Sequence, residues 1–371
     1  MSQSKHQVRY QLLLFCLILV TLLTPMAAAS FGAANIHFSD VVHLLVNSLF
    51  KSELTPTQDP STSGTLGGSI VERIIFELRF PRIVLAFVAG AGLAIAGSVL
   101  QIVTRNPLAD PYLFGISSGA SFGAVVVFSV LADTGLFAGV VDSSLLQAAA
   151  IASWWNWQNL LLPIGAFLGA SLSVLVVLSL SGLGRVSQVE RMLLSGVATS
   201  FMFGALTSLL LYFSSPQAAA SVLFWTLGSF AKASWSGVVL PVLVVLFSLV
   251  IILALKRQIV ALQAGDEAAH TLGVNVAKLR LNMLLLCSLI TAVLVASCGG
   301  IGFVGLMIPH CVRLLLPGRQ PMVITALVGG IFMVWIDVIA RCVLGNQELP
   351  VGIITAAIGS VFFLFILRHR R

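Results

Sequence analysis

Charge is what this sequence has least of: 9% of its 371 residues are Asp, Glu, Lys or Arg, while 58% are hydrophobic. So few charges cannot cover that much apolar surface in water, which excludes a soluble globular fold. No lysine follows a glycine, so a phosphate-cradling GxxxxGK[ST] loop is absent, and any ATP-driven work would fall to another polypeptide. The six histidines (6, 37, 43, 270, 310 and 369) form no HExxH pair and no Ser/His/Asp grouping stands out, so enzymatic chemistry is not expected. The five cysteines (16, 287, 298, 311 and 342) lie in or beside apolar runs without CxxC spacing, which argues against disulfides and a metal site.

Long apolar runs dominate instead, and the mean hydropathy is +1.05. Spanning the roughly 30 Å hydrocarbon core takes about 20 helical residues. Ten runs are candidates, at approximately 12–30, 82–103, 113–132, 160–181, 192–213, 237–256, 279–298, 303–316, 322–344 and 350–367, the eighth being short and bounded by Gly and Pro. An even number puts both termini on one side. With the termini in the cytoplasm, 14 Lys and Arg fall inside against 6 outside, accounting for all 20. That is the positive-inside bias, so the net charge of +7 reads as topology and lends no support to nucleic-acid binding. The expected fold class is an all-α polytopic membrane protein, a single transmembrane domain over residues 1–371.

The N-terminus carries a second reading. Lys5 and Arg9, the apolar core from Leu12 to Leu23 and Ala27-Ala28-Ala29 also fit a signal peptide with its cleavage site. Its removal would move the C-terminal arginines outside, against the charge bias. The hydrophilic stretch 31–80 is an external loop with a Ser/Thr/Pro/Gly-rich section from Thr55 to Ser69. A second external loop ends in Trp154, Trp155 and Trp157, read as an interfacial anchor.

The sharpest interruption is RNPLADPYLFGISSGA, Arg105 to Ala120, a polar segment between two membrane-length runs. Asn106, Pro107, Asp110 and Pro111 stand where a helix has to stop. Gly115, Gly119 and Gly123 then recur at four-residue spacing, as do Gly165 and Gly169, which lets helix backbones approach closely. Ser117, Ser118 and Ser121 add polarity suited to a path, although packing alone accounts for the spacing.

In the longest cytoplasmic loop, Lys256 to Arg280, the run GDEAAHTLGVNVAKLR begins like a capped helix, with Asp266 and Glu267 after Gly265 where the helix dipole favours acids. Ala268, Leu272 and Val276 give it an apolar side suited to a protein partner or to lipid, and periodicity does not separate the two.

Several segments together carry a resemblance: LRFPR (Leu78 to Arg82), RNPLADPYLFGISSGA, GDEAAHTLGVNV, GGIGFVGLMIPHCVR (Gly299 to Arg313), DVIAR (Asp337 to Arg341) and ELPVGIITAAIG (Glu348 to Gly359). In this order, over roughly residues 70–367, they resemble the membrane-spanning subunit of the type II ATP-binding-cassette importers, the permeases that take up iron-siderophore, haem and cobalamin chelates. The resemblance implies ten helices with cytoplasmic termini, in the bacterial inner membrane. It also implies a second permease, identical or homologous, two cytoplasmic ATPase subunits holding ATP and Mg, and a periplasmic binding protein. No cofactor is implied on this chain itself. The chain departs from the family at Val361, where Pro is usual, and in the length of its first external loop.

Roles follow from the same resemblance. Arg79, Arg82 and Arg341 match external arginines that engage carboxylates of the binding protein, while Asp337, four residues before Arg341, offers a pairing along the helix instead. Asn106 and Leu108 with Val189 and Glu190 match the cytoplasmic gate; Glu190 departs from the small hydroxyl residue of the cobalamin relative and could instead pair with Arg185 or Arg191. Gly265, Asp266, Glu267, Ala268, Leu272, Gly273 and Val276 match the element that docks on the ATPase. Gly115, Ser118, Gly119 and Gly123 belong to a packed, path-lining helix, and the implied path is lined by the third, fifth, eighth and tenth spans with a short external helix near Val222 to Phe230. His310 invites a haem-ligand role, but beside Pro309 at the cytoplasmic end of the eighth span it is read as structural.

The expected cargo is a ferric siderophore, the commonest substrate class of the family, with haem and cobalamin as alternatives. Two readings of other kinds compete: an ion-coupled secondary transporter, for which Asp337 is the only clear acidic candidate within a span, and a membrane receptor whose cytoplasmic loop docks a signalling partner.

Overall fold

Apolar runs of this length have only one way to satisfy their backbone in lipid, by internal helical hydrogen bonding. The structure, a computed structural model, describes residues 2–32, 36–42, 44, 70–132, 157–181, 189–214, 216–317, 320–344 and 347–369, and no strand occurs among them. The helices are α1 (Ser2–Ser30), α2 (Phe80–Val103), α3 (Ile116–Ala132), α4 (Trp157–Ser181), α5 (Val189–Phe213), α6 (Pro216–Thr226), α7 (Trp235–Ala254), α8 (Lys256–Ala261), α9 (Asp266–Thr271), α10 (Val276–Cys298), α11 (Val304–Leu315), α12 (Met322–Cys342) and α13 (Val351–His369). By length and composition 7 of the described helices can cross a membrane, and three shorter apolar ones, Ile116–Val127, Val304–Leu315 and Val351–Ile366, accompany them. A helix stands at each of the ten apolar runs.

The hub is α2. A π-helical stretch, Ile74–Arg79, leads into it, and Pro81 sits in its first turn, where the missing N–H leaves no bond unmade. Its apolar window is 83% buried, against 22% for α5 and 17% for α1, so α2 is surrounded by protein while the others show most of their length outward. Small residues let its neighbours come close. Gly90 lies against Gly329 of α12 and Gly97 against Gly305 of α11, and a Cβ at Gly90 or Gly97 would overlap the facing carbonyl. The two glycine rows seen in the sequence face each other: Gly119 and Gly123 of α3 abut Gly169 and Gly165 of α4 backbone to backbone.

Several boundaries differ from the sequence reading. Residues 70–80, read as part of a loop, are helical and run on into α2, and the short helix expected near Val222 to Phe230 is Pro216–Thr226. Residues 113–115 lie outside the third helix, because Pro111–Phe114 form a 3-10 turn and Gly115 closes it at φ +69. Gly115 is thus a turn glycine; the helical small-residue row begins at Gly119. The eighth span is a 12-residue helix, α11, about 18 Å long at 1.5 Å per residue. Gln101 brackets it, donating from Nε2 to Gly305 O (3.1 Å) and accepting from Arg313 Nη2 (2.6 Å). Val276 is the first residue of α10 and lies beyond the short helix α9, because Gly273 turns the chain at φ +80 and Asn275 caps α10 by accepting from Lys278 N–H (3.0 Å).

At the N-terminus, Ala28 and Ala29 are fully buried, α1 packs on α12, and Arg79 Nη1 donates to Ala29 O. The C-terminal end of the apolar run that also fits a signal peptide is thus packed against the fold, while most of the run faces outward. The Thr55 to Ser69 section, Trp154 and Trp155 lie outside the described residues.

Candidate functional site

The polar break builds a loop from its own side chains. Thr104 ends α2, donating its N–H to Leu100 O (2.9 Å), and Arg105 follows at φ +51, the left-handed position after a helix that glycine usually takes. Asn106 Oδ1 accepts from Leu108 N–H (2.9 Å) and Asp110 Oδ1 from Tyr112 N–H (2.8 Å), so two Asx side chains satisfy the N–H groups that follow the prolines. The Tyr112 hydroxyl accepts from Ile301 N–H (2.9 Å), which joins this loop to the turn between α10 and α11. Leu108 is 54% exposed. Of the expected gate partners, Val189 and Glu190 open α5, and their side chains lie outside what is described.

Beside this loop stands α9, six residues long, with Ala269 and Val274 buried beneath it and Leu272 70% exposed just past its end. Asp266 does more than sit at a helix N-terminus. Its Oδ1 receives Arg105 Nη2 (2.7 Å) and Arg280 Nη2 (2.9 Å), and Arg280 also donates from Nε to Val103 O (3.2 Å) at the end of α2. Arg280 is 1% exposed. The sequence shows these three charges but not that they converge, since Arg105 and Asp266 are 161 residues apart.

On the far side of the break, α3, α5 and α6 line an open cleft of about 270 Å³. Ser117, Ser118, Ser121, Thr207 and Thr226 line it with hydroxyl groups, and Gly204, Leu211, Val222 and Leu223 complete the wall. The sequence reading placed Ser118 and the Val222 segment on a path, and the structure brings them to one cavity with α5.

The arginines matched by resemblance to docking positions, Arg79, Arg82 and Arg341, are 6%, 8% and 7% exposed, and Arg341 pairs with Asp337 along the helix, the alternative the sequence offered. Burial is tolerated because counter-charges and carbonyls surround them. Arg82 is held by Asp337 (2.8 Å) and Glu348 (2.8 Å), Arg341 by Asp337 (3.2 Å) and Phe31 O (3.3 Å), and Arg79 by Ala29 O. Two of these groups therefore cap the carbonyl end of α1. Asp337, the acid on which an ion-coupled transporter would lean, is neutralised between two arginines. His310 packs edge-on against Phe362, with ring centroids 5.9 Å apart. No group of three or more His, Cys, Asp and Glu among the described residues is arranged to hold a metal.

Comparison with known proteins places this geometry in a group. The sequence profile described as "FecCD transport family" matches residues 16–369. The hemin transport system permease protein HmuU of Yersinia pestis is 31% identical, covering 98% of each chain. The cobalamin import system permease protein BtuC of Halobacterium salinarum is 38% identical over 80% of this chain and 74% of its own. A solved transporter assigned to the metal-chelate ABC type, in an inward-facing conformation, superposes with a TM-score of 0.74 at 29% identity, covering 97% of this chain and 99% of that one.

Proposed function

The chain belongs to the FecCD transport family, and from that membership we propose that it is the permease subunit that moves a metal chelate across the bacterial inner membrane by alternating access. A second permease completes the path. Two cytoplasmic subunits bind and hydrolyse ATP, and a periplasmic binding protein delivers the cargo. A ferric siderophore is the proposed cargo; haem and cobalamin are its rivals within the same family.

One arrangement carries this reading. An exposed short helix, α9, is tied by Asp266 to the loop over residues 104–115, and that loop leads into the helix whose Ser117, Ser118 and Ser121 line the cavity. Leu272 supplies the apolar contact for an ATPase subunit. Thr207 and Thr226 donate to Phe203 O and Leu223 O and keep lone pairs to accept with, and no lining side chain is charged, which suits the polar periphery of a closed chelate better than a bare ion. About 270 Å³ falls below the roughly 300–1,000 Å³ of a ligand pocket, so the second permease supplies the facing wall. Such coupling needs an element whose two positions the partner biases differently, and α9 with its attached loop is that element.

The test is reconstitution in proteoliposomes with the cognate ATPase and binding protein, followed by uptake of labelled ferric siderophore, haem and cobalamin. ATP-dependent uptake of the siderophore alone supports the proposal. Uptake of haem or cobalamin instead reassigns the cargo, and ATP-dependent uptake of none of the three overturns the importer reading.

A further inference from the structure

We propose that Asp266 is a positioning residue that joins the motion of α9 to the loop over residues 104–115, through one carboxylate oxygen shared by Arg105 and Arg280. This rests on the importer reading and adds the residues through which coupling runs.

Three observations converge. First, Arg105 and Arg280 both reach Asp266 Oδ1, at 2.7 and 2.9 Å, and they belong to different elements. Arg280 rises from α10 and also holds Val103 O at the end of α2, while Arg105 opens the loop. A displacement of Asp266 therefore pulls on the end of α2 and on the loop together.

Second, Arg105 pays for its place in backbone conformation. At φ +51 an L-residue is disfavoured and glycine would sit without strain. The side chain is what the position gains, and it points to Asp266.

Third, α9 is closed at both ends by its own backbone and so forms one unit: Gly265 O accepts from Ala269 N–H (3.0 Å), and Gly273 N–H donates to His270 O (2.9 Å). Gly265 precedes it at φ +114 and Gly273 follows it at φ +80, and a Cβ at Gly273 would meet nothing within 4 Å. Ala269 seats the helix on the protein, but Asp266 is its ionic tie to the loop that ends at Tyr112, Ile301 and the cavity.

The experiment uses the assembled complex of permease, ATPase and binding protein, with Arg105→Gly, Asp266→Asn and their combination. Arg105→Gly should leave thermal stability unchanged or raised, because strain is relieved, while uptake per ATP hydrolysed falls about tenfold, within the range of coupling between linked sites. Asp266→Asn should lose a similar factor, the double variant should lose no more than either single one, and Asp266→Glu should restore most of the uptake. Lys278→Gln, which removes an exposed charge nearby, should have no effect. Wild-type uptake per ATP in Arg105→Gly, losses that multiply in the double variant, or an equal loss in Lys278→Gln would each overturn the proposal.

A second measurement does not depend on transport. In the permease alone, Asp266→Asn should speed amide hydrogen exchange in 266–271 and in 106–112 together, and a rise confined to one segment overturns the tie. A wild-type complex without ATP-dependent uptake defeats the importer reading instead, and the exchange result still decides the tie.

Discussion

Arg82 and Asp337 meet inside the protein although 255 residues separate them, with Arg82 Nε donating to both carboxylate oxygens at 2.8 and 3.1 Å. The same carboxylate takes Arg341, and Arg82 reaches on to Glu348, so α2, α12 and the entry to α13 are pinned at one point. Arg341 Nη2 is buried with no hydrogen-bond partner among the described residues.

Asp337→Ala would leave two buried guanidinium groups without their shared counter-charge. Breaking a buried pair from one side costs roughly 3–5 kcal/mol, a large share of the stability of a folded domain. The expected result is a marked fall in the thermal unfolding midpoint in detergent, with Asp337→Asn intermediate. An unchanged midpoint would show that the cluster does not hold the helices.

The glycine rows make a graded prediction. Gly119→Val places two methyl groups where the backbone of Gly169 already lies, so α3 and α4 must separate and folded protein should fall steeply. Gly204→Ala, with nothing within 4 Å of the new Cβ, should accumulate at the wild-type level. Size-exclusion profiles of the two variants compare them directly.

Leu272→Glu tests the proposed docking surface. Leu272 is 70% exposed, so stability should shift by no more than about 0.5 kcal/mol. Co-purification of the ATPase should drop and uptake with it; full retention of both would remove Leu272 from the interface.

Ser118→Phe projects a ring into the cavity between α3, α5 and α6. Chelate uptake should be abolished while the ATPase still co-purifies. Uptake at the wild-type rate would place the path elsewhere.

Tyr112→Phe deletes the acceptor of Ile301 N–H. Ile301 is fully buried, and a stranded donor costs about 1–3 kcal/mol. Hydrogen exchange at Ile301 should accelerate, and an unchanged rate would mean the N–H finds another acceptor.

Much of the fold is legible in the residues. The apolar runs mark where helices stand, and Pro107 and Pro111 mark where α2 cannot continue. The glycine spacing shows that helices approach closely, but not that the row in α3 meets the row in α4. Val276 was misplaced because apolar periodicity ran through Gly273, whose φ of +80 ends the short helix. The pairing of Arg341 with Asp337 was legible at four-residue spacing, but the burial of the arginines was not, because LRFPR and DVIAR lie at span ends, where an exposed and a buried guanidinium look alike in sequence.

What the sequence by itself determined is local: a membrane protein of helices, the places where they break, and a short helix opening at Asp266. Hydropathy, Pro and Gly act within a few residues, so their consequences can be read in order along the chain. Only the tertiary structure decided that Asp337 neutralises Arg82, that Asp266 joins Arg105 to Arg280, and that serines of α3 share a cavity with α5 and α6. Coulomb attraction and hydrogen bonding depend on distance in space, and helix packing brings together charges that the chain holds 255 and 161 residues apart.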